Sequence, residues 1–167
     1  MHPVSEFDRA TAVAARDGHT VHDVTVDPGW TIGDKPNGGY LLAILARAAA
    51  DAAGAVEGPS HPHPLAATAT YVSPPGLGPA EVHSEVLRRG RGMSQVRARL
   101  VQEGTTRVEA TITLGRLDAA AEPWWGGAPA PAVPPPEAAL RAAATGPSGL
   151  ALPIMHRVDL RLDPATA

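Results

Sequence analysis

The sequence predicts an α+β domain in which an antiparallel β-sheet is wrapped around one long central helix. Three observations carry this. Residues 38–54 are apolar around most of a helical circumference, residues 94–102 and 106–115 alternate apolar with polar, and the turn Glu103-Gly104-Thr105 joins those two runs. A helix with so little polar surface needs a cover. A sheet with one apolar face needs a layer against it, and a short turn between strands forces antiparallel pairing.

The elements follow in order. Ser5 caps a short amphipathic helix over 5–16, with Phe7, Ala10, Val13 and Ala14 at helical spacing. Val24 and Val26, opposite Asp23 and Thr25, mark a strand over 19–26 that Asp27-Pro28-Gly29 ends. Trp30 is expected beside the start of the long helix, where its ring can be buried. Pro36 sets the backbone, Asn37 is the N-cap, and Leu41, Ile44, Leu45, Ala48 and Ala52 line the helix, whose polar stripe is only Arg47 and Asp51. Four strands follow, at 65–73, 80–89, 94–102 and 106–115. Beyond Gly115 the six prolines of 118–136, with Trp124-Trp125, read as an extended linker whose tryptophans dock on the domain. Residues 137–144 are expected as an Ala-rich helix and 154–162 as a strand.

Bulk properties narrow the function. The 167 residues carry a net charge of −3, which favours neither nucleic acid nor an anionic membrane. Arg88-Arg89-Gly90-Arg91-Gly92 lacks the aromatic interleaving of a nucleic-acid site. There are no cysteines, so disulfide and thiolate chemistry are excluded. No signal peptide or membrane span is expected, and a cytoplasmic location fits. His61 and His63 lack a third ligand at a recognised spacing, so no metal site is expected.

Three motifs, Trp30-Thr-Ile-Gly-Asp-Lys-Pro-Asn-Gly-Gly-Tyr-Leu-Leu42, Tyr71-Val-Ser-Pro-Pro-Gly76 and Glu85-Val-Leu-Arg-Arg-Gly-Arg-Gly-Met-Ser-Gln95, resemble, in order and spacing, the N-terminal half of acyl-CoA thioesterase II-like proteins. Those are double-hotdog enzymes. The resemblance implies a hotdog domain over 1–116, a Pro/Gly-rich linker over 117–153, and, from Arg157-Val-Asp-Leu-Arg-Leu-Asp-Pro164, a strand in 154–167 that is similar to the start of a second hotdog. It implies an acyl-CoA thioester as substrate, with coenzyme A present only as part of that substrate and no separate cofactor. It also implies that the catalytic acid belongs to the second hotdog.

The residues support substrate holding more directly than cleavage. A helix start at Asn37, Gly38, Gly39 and Tyr40 can offer N–H groups to a thioester oxygen. Arg88, Arg89 and Arg91 can meet coenzyme A phosphates, and Met93, Ser94 and Gln95 can line the acyl site. The catalytic group is not assigned: Asp51 is the only acid in the helix, about three turns from the glycines, and Asp34 would have to reach back from the turn. Two readings therefore stand, a thioesterase completed by a second hotdog and a non-catalytic acyl-CoA-binding or scaffolding hotdog. Hydration of an enoyl thioester ranks below both, since no histidine lies between His22 and His61. An open sheet edge predicts homo-oligomers through hotdog pairing.

Overall fold

The computed structural model describes residues 3–122, 126–129, 132–146 and 148–165. The chain opens with α1, Glu6–Ala10, where Ser5 Oγ accepts the Asp8 N–H at 3.0 Å and the Asp8 carboxylate accepts the Ser5 N–H at 3.3 Å. The helix expected over 5–16 stops there. Five residues cannot sustain a helix alone, and the chain instead forms β1, Ala14–Arg16, against β2, Val21–Val26. A two-stranded turn follows, β3 (Thr31–Ile32) with β4 (Lys35–Pro36), and feeds α2, Gly38–Ala55. Gly54 does not end α2, which continues one residue further. Next come β5 (His63–Tyr71), β6 (Gly78–Arg89), β7 (Ser94–Gln102) and β8 (Thr105–Gly115). The β7–β8 turn has Glu103 and Gly104 at φ 53° and 71°, the paired left-handed conformation of a tight hairpin.

These strands form one antiparallel sheet in the order β1-β2-β6-β7-β8-β5. Alternation decides which face is buried. Register sets Val96 opposite Ile112, Ala98 opposite Ala110 and Leu100 opposite Val108. With Val26 and Val82 they are fully or almost fully buried. The opposite face is charged, with Arg97 between Glu85 at 3.1 Å and Glu109 at 3.5 Å.

The sheet packs across α2, which touches β2, β5, β6, β7 and β8. Tyr40, Leu41, Ile44 and Leu45 are buried at its start, and Ala48, Ala49, Ala52 and Ala53 further on. Each large aliphatic side chain sealed here stabilises the fold by about 1.5–3 kcal/mol. The alanines bring the sheet close to the helix axis.

The expected wrapping is incomplete on one flank. Leu42, Ala43 and Ala46 of α2 are half-buried, and β5 is largely exposed on both faces. Alternation sets Leu65, Ala67, Ala69 and Tyr71 on one face, but β5 is the last strand of the sheet, and Leu65 and Tyr71 are 46% and 49% exposed.

Past Gly115 the expectations change most. Trp124 and Trp125 lie outside the described residues. Residues 136–138 are a single 3-10 turn, followed by β9 (Leu140–Arg141), rather than an Ala-rich helix. The strand expected over 154–162 is a 3-10 turn at Pro153–His156, and only β10, Arg161–Leu162, is strand, paired with β9. Proline at the first position of that turn suits a helical start, and Ile154 leaves the alternating pattern to join the main core. Among the described residues no helix is long and apolar enough to cross a membrane.

Candidate active site

The start of α2 is built by local chemistry. Asn37 has extended backbone, and its Oδ1 accepts the Tyr40 N–H at 3.1 Å. Its own N–H is donated to Trp30 O at 2.8 Å, closing the loop that delivers the helix. Trp30 is buried as expected, stacked on Tyr40 with ring centroids 5.7 Å apart and meeting Phe7 edge-on at 5.1 Å.

Of the four N–H groups at the helix start, that of Asn37 goes to Trp30 and that of Tyr40 is taken by the cap. Gly38 and Gly39 occupy the first two helical positions, where no acceptor exists within the helix. Neither N–H meets another acceptor among the described residues. Their lack of a side chain is used. A Cβ on Gly38 would lie 3.2 Å from the Tyr71 ring, and one on Gly39 would lie 3.2 Å from Asn37 Oδ1.

The Tyr40 side chain is structural rather than substrate-facing. Its hydroxyl accepts the Asp27 N–H at 3.0 Å and can donate to Ala10 O at 3.0 Å or Thr25 O at 3.2 Å. Burial raises its pKa, which keeps the phenol neutral.

Tyr71, the first residue of the Tyr71–Gly76 motif, is part of the helix-start cleft. Its hydroxyl donates to Gly38 O at 2.7 Å. A cleft of about 350 Å³ opens there, walled by Pro36, Gly38, Leu41, Tyr71 and the segment Val72–Pro75. The signal was in the sequence, since Tyr71 ends a strand three residues before Pro74-Pro75, but its face could not be read without knowing that β5 is an edge.

Arg91, Met93, Ser94 and Gln95 lie at the other end of the helix. Arg89, at the end of β6, donates to Ala53 O near the C-terminus of α2, and Ser94 begins β7. Eighteen helical residues span about 27 Å, so within one chain the two halves of the expected site do not meet. Arg89 is committed to Ala53 and Pro59 carbonyls and is not free for phosphate. Arg91, Met93 and Gln95 are exposed. Ser94 is sealed, with its Oγ 2.9 Å from His61 Nδ1, while His61 Nε2 lies 3.3 Å from Arg91 O. His61 and His63 do not converge: His63 Nδ1 accepts the Leu117 N–H.

No carboxylate lines the helix-start cleft among the described residues. Asp34 does not reach back, because its carboxylate points to solvent and pairs with Lys35 at 2.8 Å, which holds its pKa below the ordinary value. Asp51 is occupied by His19 and His22.

A family profile described as acyl-CoA thioesterase N-terminal domain matches residues 26–115. Three proteins described as uncharacterized, from Mycobacterium bovis and two strains of Mycobacterium tuberculosis, are 37% identical over 86 residues, 52% of this chain and 30% of theirs. A provisionally assigned thioesterase II of Thermobifida fusca is similar over 99% of this chain and 57% of its own, with 35% identity and a TM-score of 0.81. A protein of unknown function with a hot dog fold, from Alicyclobacillus acidocaldarius, is 26% identical with a TM-score of 0.67, over 91% of this chain and 53% of its own. The chain spans under a third of the mycobacterial relatives and a little over half of these two structures. The fold is a hotdog, and the profile covers more than half of the residues: the chain belongs to the acyl-CoA thioesterase N-terminal domain family.

Proposed function

We propose that this hotdog holds an acyl-CoA thioester, with the thioester oxygen at the N–H groups of Gly38 and Gly39, and that a second hotdog pairing along β5 completes a hydrolytic site. The open start of α2 carries the reading. The N–H groups of Gly38 and Gly39 have no acceptor among the described residues, Gly38 lines the cleft beside Tyr71 and Gly39 lines the groove between α2 and β5, and paired donors at a helix start suit the charge that develops on a thioester oxygen.

The separation of the two halves of the expected site supports a second hotdog. Strand β5 runs from the Ser94 end of the sheet to the Gly38 end, and its outer edge pairs with no strand among the described residues. Two-fold antiparallel pairing along that edge sets Tyr71 of one copy beside the partner's His63 end. The partner's Arg91–Gln95 segment then lies three strand spacings, about 14 Å, from the helix start. An extended coenzyme A arm can cross that gap, with Arg91 near its phosphates and Met93 and Gln95 along its path. Ser94, buried on His61, supports the wall rather than touching ligand. The apolar groove between α2 and β5, lined by Gly39, Leu42, Ala46 and Leu65, suits the acyl chain.

One observation favours the binding-only reading. The cleft lacks a carboxylate among its described lining residues, so the general base must come from elsewhere. Calorimetry with acyl-CoAs, alongside release of coenzyme A followed with a thiol reagent, separates the readings. Binding with turnover supports the hydrolase, and binding without turnover supports a non-catalytic holder. Absence of both discards the proposal for this chain. Gly39→Val crowds Asn37 and shields the helix start. It is expected to weaken acyl-CoA binding by about tenfold or more, roughly 1.4 kcal/mol, while circular dichroism stays that of the parent.

A further inference from the structure

Far from the glycine turn, three residues from two parts of the chain converge on one point. The Asp51 carboxylate oxygen Oδ2 lies 2.6 Å from His19 Nδ1 and 2.9 Å from His22 Nε2. All three ligand-type atoms lie within 4.8 Å of one another. We propose that His19, His22 and Asp51 form a binding site for a divalent transition-metal cation, with Zn2+ the ion that the ligand set suits best.

The ligand chemistry is that of a three-residue zinc site. Two imidazole nitrogens and one carboxylate oxygen supply three corners of a tetrahedron, and water supplies the fourth. In such a site metal–ligand distances of about 2.0–2.2 Å place neighbouring ligand atoms roughly 3.3 Å apart. The two contacts to Asp51, 2.6 and 2.9 Å, are tighter than this by roughly half an ångström, so the carboxylate draws back from the imidazoles to admit the ion. The parts that must move are able to: the side chains of His19 and Asp51 are 47% and 40% exposed, whereas His22 is fully enclosed and fixes the position. Solvent reaches the cluster through the exposed side chains of His19 and Asp51, which leaves room for the fourth ligand.

The backbone holds His19 in an unfavourable state to bring its ring there. Gly18 and His19 both have left-handed conformations, φ 64° and 67°. For a non-glycine residue this costs about 1–3 kcal/mol and concentrates at functional positions. No guanidinium competes for the site among the described contacts: Arg47, one turn before Asp51, is bonded to Asp8, and the Asp51 carboxylate is held by the two imidazoles. An imidazole donating to Asp51 must carry a proton on the contacting nitrogen, and the cation takes the place of those protons.

The site sits thirteen residues along α2 from Gly38, about 20 Å away. Its role is therefore a clamp that ties the 17–19 turn and β2 to the central helix, independent of thioester binding. Calorimetry of tag-free protein, stripped with chelator and titrated with Zn2+, is expected to give one saturable equivalent. Co2+ is expected to give the intense visible bands of a four-coordinate site. The surface variants His19→Ala and Asp51→Asn avoid disturbing buried His22. Each is expected to weaken binding by at least the roughly 10–100-fold that loss of a mere supporting partner costs, and to abolish the Co2+ bands. His83→Ala, which breaks the other histidine–carboxylate pair, with Glu81, is expected to leave both signals unchanged. No saturable equivalent in the parent overturns the proposal and leaves two imidazoles hydrogen-bonded to a carboxylate. So does binding that survives in the His19→Ala/Asp51→Asn double variant.

Discussion

Tyr40 illustrates what a single residue can hide. The sequence places it at the helix start, where it reads as a substrate contact. Its hydroxyl instead joins α2 to segments 13, 15 and 30 residues away. Sequence spacing cannot reveal such bonds, because none of the partners is local. Tyr40→Phe leaves the half-buried Asp27 N–H without that acceptor, and a stability loss of about 1 kcal/mol is expected in urea unfolding. Asp51 makes a second residue-scale test. Its burial disfavours ionisation, but hydrogen bonds from His19 and His22 outweigh this and hold the pKa below the ordinary 3.8. A depressed carboxylate pKa stabilises the fold above the unfolded value, and the contribution is lost as pH falls through the folded one. In chelator-treated protein, Asp51→Asn is therefore expected to lose less stability than the parent between about pH 5 and pH 3. Parallel losses in the two proteins would remove the imidazole–carboxylate contacts from the account.

At the scale of elements, legibility followed how much of an element's environment its own residues determine. Strand β7 has the boundaries that alternation gives, 94–102, because one face is sealed by α2 and the other is open to water. The long helix was equally readable, since Asn37 and the apolar repeat announce both its start and its buried face. Strand β5 is less legible, because alternation reports which side chains share a face and is silent on whether anything covers it. Being last in the sheet, it presents alanines and threonines around a free row of backbone groups, with no lysine or glutamate to discourage pairing. Two-fold pairing brings this strand beside its own copy. Thr68→Lys then sets two ammonium groups close together across the seam, and like charges there are destabilising. Sedimentation is expected to show the parent as a dimer and the variant shifted toward monomer. A parent that stays monomeric at high concentration removes the homodimer from the proposed site.

For the whole molecule, the segment read as a linker turns out to return to the loop that delivers α2. The Gly33 N–H donates to Ala151 O at 2.7 Å, Leu150 lies against Gly33, and Arg157 pairs with Glu6 at 3.0 Å. Ile154 is 8% exposed and belongs to the same core cluster as Trp30 and Tyr40. Proline-rich composition indicates that a segment forms little regular structure, but it does not say where the segment lies, and the alternation that reads as a strand over 154–162 does not say which surface Ile154 meets. The consequence is mechanical: the loop 27–36, which aims the glycine N–H groups, is held by the sheet on one side and by the returning tail on the other. Ile154→Ala removes the tail's buried anchor without touching the helix start. The expected cost is about 2 kcal/mol, at the low end for a buried isoleucine because the site is at the margin of the core and can relax. If the tail steadies the glycine turn, acyl-CoA affinity should fall with stability in this variant, although Ile154 is not among the residues lining the cleft. Lost stability with unchanged affinity would assign the returning segment to the core alone and leave the aim of the helix start to Asn37 and Trp30.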